Sequence, residues 1–150
     1  MEKLKMMLVD DEERYLTTTQ KLLERKGVEV WVSPSGKEAL EILKRQTIHV
    51  VVLDVKMPGM DGNETLRAIK AAYPLVEVIM LTGHATVDSA IDGLKSGAFD
   101  YLMKPADIDE VLEKAMSAFE KRQRLEEKIR IAQSKKYMRS PREIIKEDNR

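Results

Sequence analysis

The segment IHVVVLD (Ile48–Asp54) decides the fold class of this chain. Its first six residues are almost continuously apolar, and four of them are β-branched. A short run of this kind, without alternation of polar residues, is typical of a central strand in a parallel sheet that is covered on both faces. The run ends at Asp54, so the strand is predicted to end there too.

Strand-like and helix-like patterns alternate on both sides of this segment. The other strand-like runs are Leu4–Val9, Val28–Val32, Val76–Leu81 and Phe99–Met103. Apolar residues at helical spacing follow each run, in Glu12–Lys26, Ala39–Leu43, Asn63–Ala72, Thr86–Ser96 and from Asp107 onward. Five strand–helix pairs in strict alternation predict an α/β protein, with a doubly wound five-stranded parallel sheet and helices on both of its faces.

Charge divides unevenly along the 150 residues, although 26 Lys/Arg balance 26 Asp/Glu overall. Residues 1–120 carry a net charge of −6 and residues 121–150 a net charge of +6. This division predicts a globular domain over residues 1–120 and a basic helical tail or linker over residues 121–150. The absence of cysteine excludes disulfide scaffolds, and the apolar runs are too short to span a bilayer, so we expect a cytoplasmic protein without a membrane partner.

Polar residues of complementary chemistry occur where four of the predicted strands end. Asp10 and Asp11 follow the first strand, Asp54 the third, Thr82 the fourth and Lys104 the fifth. Because the crevice of an open parallel sheet lies beyond the carboxyl ends of its strands, we expect these side chains to share one cleft. Three carboxylates there would repel one another without a cation, and oxygen ligands favour Mg²⁺. Asp54 is then a candidate nucleophile toward phosphorus, with Lys104 and Thr82 directed at phosphoryl oxygens.

Each of these residues has a plainer interpretation when it is taken alone. An acidic pair such as Asp10-Asp11 is common at the positive end of a helix dipole, and an aspartate such as Asp54 commonly forms a turn after a strand. The joint occurrence of these residue types at the ends of four strands favours a shared phosphoryl-transfer site. The alternative function is that of a metal-dependent small-molecule phosphatase or phosphotransferase, which usually has its nucleophile in an Asp-x-Asp pattern on the first strand. A flavodoxin-like cofactor binder would need a Ser/Thr/Gly-rich loop after that strand, where this chain is acidic.

Four longer stretches resemble the response-regulator receiver domain of bacterial two-component signalling. They are LVDDE (Leu8–Glu12), VLDVKMPGMDG (Val52–Gly62), MLTGH (Met80–His84) and GAFDYLMKP (Gly97–Pro105). The resemblance covers residues 4–120 and is greatest to receivers of the nitrogen-regulator class. It implies a flavodoxin-like strand order, 2-1-3-4-5, and a phosphorylated signalling switch rather than a turnover enzyme.

The resemblance also implies roles for individual residues. Asp54 would accept a phosphoryl group from the phosphohistidine of a sensor histidine kinase, while the downstream protein target is unknown. Asp10, Asp11 and Asp54 would bind Mg²⁺ together with the backbone carbonyl of Lys56. Lys104 would pair with the phosphate.

A second set of implied roles concerns the switch. Thr82 would follow the phosphoryl oxygen and Tyr101 would turn inward with it, which changes the face formed by the fourth helix, fifth strand and fifth helix. The Lys104–Pro105 peptide bond is expected to be cis. Lys56 and His84, each two residues beyond a key residue, are candidates for tuning the lifetime of the acyl phosphate. Without the resemblance, Tyr101 reads as a half-buried strand aromatic and His84 as a solvated loop residue.

The apolar stripe of the last predicted helix continues past residue 120. Its members are Ile108, Val111, Leu112, Ala115, Met116, Phe119, Leu125, Ile129 and Ala132. A narrow stripe flanked by charges predicts a two-stranded coiled coil or an α-hairpin packed on its own domain. SPRE (Ser140–Glu143) is typical of another helix start. A homodimer could form through this tail or through the fourth-helix face, whereas nucleic acid is disfavoured as a partner because no base-reading motif is present.

Overall fold

The computed structural model describes residues 2–83 and 87–137, in which strands and helices alternate. The strands are β1 (Lys5–Val9), β2 (Glu29–Ser33), β3 (Val50–Leu53), β4 (Glu77–Thr82) and β5 (Asp100–Met103). The helices are α1 (Glu13–Arg25), α2 (Gly36–Arg45), α3 (Gly62–Ala72), α4 (Val87–Lys95) and α5 (Ile108–Tyr137). In the described ranges, no helix is both long enough and apolar enough to cross a bilayer.

The five strands form one parallel sheet in the order β2-β1-β3-β4-β5, which confirms the predicted doubly wound fold. All four residues of β3 are buried, as expected for a strand covered on both faces. Val9 is in register with Leu53, and Leu53 with Met80, so β1 and β3 finish at the same level and β4 continues to Thr82. The residues that follow β1 and β3 are therefore brought to one edge of the sheet, beside the end of β4.

Two apolar cores cover the two faces of the sheet. One contains Leu16 and Leu23 of α1 with Phe119 of α5, and the other contains Leu66 and Ile69 of α3. Full burial of such side chains contributes roughly 1.5–3 kcal/mol each. The cores therefore hold the sheet rigidly between two helical layers, and the loops at its carboxyl edge start from fixed points.

Side-chain caps and a glycine set the ends of three helices. Ser35 Oγ accepts a hydrogen bond from the Glu38 N–H (3.2 Å) at the start of α2, and Asp61 Oδ1 accepts one from the Glu64 N–H (2.9 Å) at the start of α3. Each cap stabilises its helix by about 1 kcal/mol. Gly27 ends α1 with a φ of 89°, a conformation that favours glycine. The cap at Asp61 matters for the site because it ends the loop that starts at the carboxyl end of β3.

Helix α5 continues through residue 120, where the end of the globular domain is predicted, and no hairpin turn interrupts it up to Tyr137. Two side chains just beyond that point attach it to the base of the sheet. Arg122 Nη1 donates a hydrogen bond to the Ile48 carbonyl (2.7 Å), and Lys121 Nζ lies 3.4 Å from the buried carboxylate of Glu77. The helix start predicted at Ser140–Glu143 lies outside the described residues.

His49 packs at the same base of the sheet. Its ring stacks on Phe119 with centroids 4.7 Å apart, and Nδ1 accepts a hydrogen bond from the Lys5 N–H (3.0 Å). Burial lowers the pKa of His49, although the Glu2 carboxylate at 2.8 Å opposes this effect. Packing on Phe119 and the hydrogen bond from the Lys5 N–H therefore give this buried histidine a structural role.

Candidate functional site

Backbone hydrogen bonds carry the sheet one residue past β3 and β5. The Asp54 N–H donates to the Val9 carbonyl (3.0 Å), and the Lys104 N–H donates to the Thr82 carbonyl (3.0 Å). Strand β4 lies between β3 and β5, and Thr82 is its last residue. Thr82 therefore lies between Asp54, which follows β3, and Lys104, which follows β5. The sheet thus fixes the backbone of three of the candidate residues.

The three candidate carboxylates come together at this edge. Ligand oxygens of Asp10, Asp11 and Asp54 lie within 4.8 Å of one another. Asp10 and Asp54 are only 2% and 5% exposed, whereas Asp11 faces solvent. Burial raises the pKa of Asp10, and the charge of Asp54 adds to this effect. Within the described residues, Asp54 Oδ1 is buried without a hydrogen-bond partner. A hard divalent cation fits this set of oxygen donors.

Lys104 extends into the same cluster from the end of β5. Its Nζ lies 2.5 Å from Asp10 Oδ2, 3.6 Å from Glu12 Oε1 and 3.9 Å from Asp54 Oδ2. Burial acts to lower the pKa of Lys104, but its hydrogen bond to Asp10 and the other carboxylates raise that pKa overall, so the ammonium stays charged. The ammonium also lies 4.2 Å from the centroid of the Tyr15 ring. Glu12 and Tyr15 are site neighbours that are not among the candidate site residues.

The two candidate switch residues lie on neighbouring strands. Thr82 is fully buried at the end of β4, and Tyr101 of β5 is half-buried. The Tyr101 hydroxyl lies 3.4 Å from Ser89 Oγ, so the ring is directed toward α4. The Lys104–Pro105 peptide bond is cis.

The loop after β3 contributes a residue, Gly62, that is not among the candidate site residues. The Gly62 N–H donates to the Val55 carbonyl (2.8 Å), and a Cβ on Gly62 would lie 2.2 Å from the Asp54 carbonyl oxygen. Lys56, a candidate tuning residue, is exposed in this loop. His84, the second candidate for tuning, lies outside the described residues.

Two similar sequences are transcriptional regulators of bacteria. The profile of the family described as "Response regulator receiver domain" matches residues 6–116. The transcriptional regulatory protein ZraR of Escherichia coli K12 is 41% identical over 115 residues, which cover 75% of this chain and 26% of ZraR. The DNA-binding transcriptional regulator NtrC of Klebsiella pneumoniae is 37% identical over 119 residues, which cover 77% of this chain and 25% of NtrC. The chain thus spans about a quarter of the length of these relatives.

Solved structures show the same architecture. A response regulator receiver domain protein from Clostridium thermocellum superposes with a TM-score of 0.77 at 38% identity, covering 81% of this chain and 98% of that one. The solution structure of the beryllofluoride-activated NtrC4 receiver domain dimer has a TM-score of 0.74 at 35% identity, covering 79% and 98% respectively. Both similarities extend over nearly the whole of the compared domain.

Proposed function

Because the chain belongs to the response regulator receiver domain family, we propose that Asp54 accepts a phosphoryl group from the phosphohistidine of a sensor histidine kinase. The domain is a signalling module of two-component systems. The observation that carries the proposal is the Asp54 carboxylate itself. It is buried at the end of the central strand, one oxygen has no partner among the described residues, and the other lies 3.9 Å from the Lys104 ammonium.

The transfer needs a nucleophile and groups that neutralise charge. A bond forms between an Asp54 carboxylate oxygen and phosphorus, while the phosphorus–nitrogen bond breaks and its electron pair leaves with the imidazole. Lys104 would balance charge on one phosphoryl oxygen, and the Thr82 hydroxyl would donate a hydrogen bond to another. Since these groups serve a single acceptor, we propose a switch that assists its own phosphorylation and dephosphorylation rather than a turnover enzyme.

We assign the acidic cluster to Mg²⁺, held by Asp10, Asp11, Asp54 and the backbone carbonyl of Lys56. When bound, the ion would neutralise the carboxylates and the incoming phosphoryl oxygens. Two observations support this assignment. The buried Asp54 Oδ1 has no partner in the described part of the chain, and the pKa of Asp10 is raised by burial, so both side chains would be stabilised by a cation.

The face formed by α4, β5 and α5 is proposed to transmit the phosphorylated state. Thr82 would approach the phosphoryl group, and Tyr101 would move inward beside it. Large apolar side chains are exposed on this face: Val87, Ile91, Leu94, Met103 and Met116. Such a cluster is typical of a protein interface. We propose a homodimer formed through this face, with the exposed continuation of α5 as the other candidate surface.

Three further assignments rest on the family and on the sequence pattern. They are a receiver domain over residues 1–120 with a basic tail over residues 121–150, a cytoplasmic location, and a role for Lys56 and His84 in tuning hydrolysis of the acyl phosphate.

A small phosphodonor tests the acceptor site without knowledge of the kinase. Incubation with acetyl phosphate and Mg²⁺ should add one phosphoryl group, read by intact mass, which is stable to acid and labile to base. Replacing Mg²⁺ with EDTA should slow its formation by about a hundredfold or more, because the acidic cluster then stays uncompensated. Equal rates with EDTA would contradict the metal assignment, and hydrolysis of the donor without any adduct would favour the phosphatase alternative.

The dimer is tested by the mass in solution before and after addition of beryllofluoride and Mg²⁺. We expect a change from monomer to dimer in light scattering, and we expect Ile91→Glu on α4 to prevent it. Ile129→Glu is the matched control, because Ile129 is equally an exposed isoleucine but lies on the continuation of α5, at 46% against 43% exposure. Loss of the dimer only in Ile129→Glu would move the interface to the tail, and an unchanged mass would contradict the dimer.

A further inference from the structure

Tyr15, the third residue of α1, contacts the ammonium group of Lys104 with the face of its ring. Lys104 Nζ lies 4.2 Å from the ring centroid, well within the distance at which an ammonium is attracted to an aromatic face. The two residues are far apart in sequence and come from α1 and from the end of β5. The tyrosine is half-buried and packs against the apolar core that contains Leu16 and Phe119. This packing holds the ring in position.

The ring differs in kind from the other partners of Lys104. Those partners are carboxylates, and two of them, Asp10 and Asp54, also belong to the acidic cluster. A divalent cation among these carboxylates competes with Lys104 for their negative charge, and phosphorylation converts the Asp54 carboxylate into an acyl phosphate, a mixed anhydride. The aromatic face binds neither a divalent cation in this cluster nor the phosphoryl group. The third carboxylate partner, Glu12, lies outside the cluster, but its side chain is largely exposed and its Oε1 is 3.6 Å from the ammonium, so water screens that attraction. The ring face is therefore the half-buried contact of Lys104, among those the structure describes, that the reaction leaves intact.

We propose that Tyr15 is a positioning residue for phosphoryl transfer: its ring holds the Lys104 ammonium at the cleft while Asp10 and Asp54 are engaged by the divalent cation and the phosphoryl group. This inference rests on the proposed function of Asp54. Tyr15 also lines the cleft beside Lys104 together with Gly83 and Pro105. The ring therefore covers one side of the ammonium against water, and a less hydrated ammonium is attracted more strongly to a phosphoryl oxygen.

Substitutions that separate the ring from the hydroxyl group test this role. Tyr15→Leu and Tyr15→Met keep apolar volume and remove the aromatic face, and each should lower the rate constant for phosphorylation by acetyl phosphate about fivefold. Tyr15→Phe keeps the face and should stay within about twofold of the wild type. Phe99→Leu is the matched control, because Phe99 is half-buried and lies under Lys121 at 5.7 Å, away from the carboxyl ends of the strands. It should leave the rate unchanged.

A double-mutant cycle with Lys104→Met shows whether Tyr15 acts through the ammonium. The readout is the affinity for beryllofluoride in the presence of Mg²⁺, measured by calorimetry, which needs no turnover. Tyr15→Leu should weaken binding about fivefold in the Lys104 background and have no effect in the Lys104→Met background. Thermal unfolding of each variant confirms that it is folded at the assay temperature.

Each outcome decides the inference. Equal effects of Tyr15→Leu in both backgrounds, or a loss in Tyr15→Phe as large as in Tyr15→Leu, would overturn it while leaving Asp54 as the acceptor. A wild-type protein that forms no adduct and binds no beryllofluoride would overturn the proposed function, and the inference with it.

Discussion

We expect Asp54→Asn to form no detectable phosphoryl adduct from acetyl phosphate and Mg²⁺ under conditions that fully modify the wild type. The substitution hardly changes the volume of the side chain, but it replaces an anionic oxygen with a neutral amide that is a very poor nucleophile toward phosphorus. The rate of adduct formation should fall on the order of a thousandfold or more. Intact mass before and after treatment with base measures the adduct, since an acyl phosphate is lost in base.

Asp61→Asn is the matched control in the same loop. Asp61 caps α3 by accepting a hydrogen bond from the Glu64 N–H, and asparagine keeps that ability. The variant should therefore be phosphorylated at the wild-type rate. An adduct on Asp54→Asn at the wild-type rate would place the acceptor on another carboxylate, with Asp10 and Asp11 the nearest candidates.

The same Asp54→Asn protein should be more stable than the wild type when Mg²⁺ is absent. Asp10 and Asp54 are buried carboxylates in one cluster, and the charge of Asp54 contributes to the raised pKa of Asp10. Removing one charge relieves this repulsion and should raise the free energy of unfolding by about 1 kcal/mol. The variant also loses the attraction between Asp54 and Lys104, but this loss is smaller than the gain because the ammonium still pairs with Asp10. Urea unfolding in EDTA measures the difference. A decrease in stability would mean that Lys104 already compensates both carboxylates.

The strand positions and the candidate site followed from local pattern together with one rule of topology. The apolar run before Asp54 predicted a buried central strand, and the alternation of strands with helices predicted a parallel sheet. Parallel strands end at the same edge, so polar residues at these ends were predicted to be neighbours. The short distances from Lys104 to Asp10 and Asp54 agree with that expectation.

Contacts that depend on the tertiary packing of two elements were not predictable in this way. Tyr15 lies in the segment Glu12–Lys26, where apolar residues recur at helical spacing, and nothing in that segment indicates that Lys104 lies over its ring. The continuation of α5 was visible as an apolar stripe, but its attachment was not, because Arg122 is a polar residue that bonds to the backbone of Ile48. A periodicity records which face of an element is buried, and it carries no information on the partner.

Gly62 shows the same limit next to Asp54, the proposed phosphoacceptor. In the sequence it is a turn-forming glycine after Asp61, yet it does not have a positive φ, so backbone conformation does not require glycine there. Space requires it: a Cβ would lie 2.2 Å from the Asp54 carbonyl oxygen and 2.6 Å from Val55 Cα. The first turn of α3 thus packs directly on the backbone of Asp54 and Val55.

Gly62→Ala is therefore expected to reduce both stability and phosphorylation. The methyl group meets backbone on a segment that the sheet holds through the Asp54 N–H, so no side chain can rotate away to relieve the clash. The free energy of unfolding should fall by about 3 kcal/mol, at the upper end of the usual cost of overpacking. The rate of phosphorylation by acetyl phosphate should fall at least about tenfold in the folded fraction, because a small displacement of a nucleophile is costly in transfer reactions. Urea unfolding and intact mass measure the two effects.

Gly93→Ala separates the clash from the general effect of alanine in a helix. Gly93 is also a buried helical glycine, but the nearest atom to its Cβ would be Met80 Cγ at 3.6 Å, an ordinary contact. Since alanine favours a helix over glycine by about 1 kcal/mol, this variant should be as stable as the wild type or more so. The two substitutions add the same methyl group, which meets backbone at position 62 and a flexible methionine side chain at position 93. Equal stability of Gly62→Ala and Gly93→Ala would show that the loop after β3 can move away from α3, and that Asp54 is held by the sheet alone.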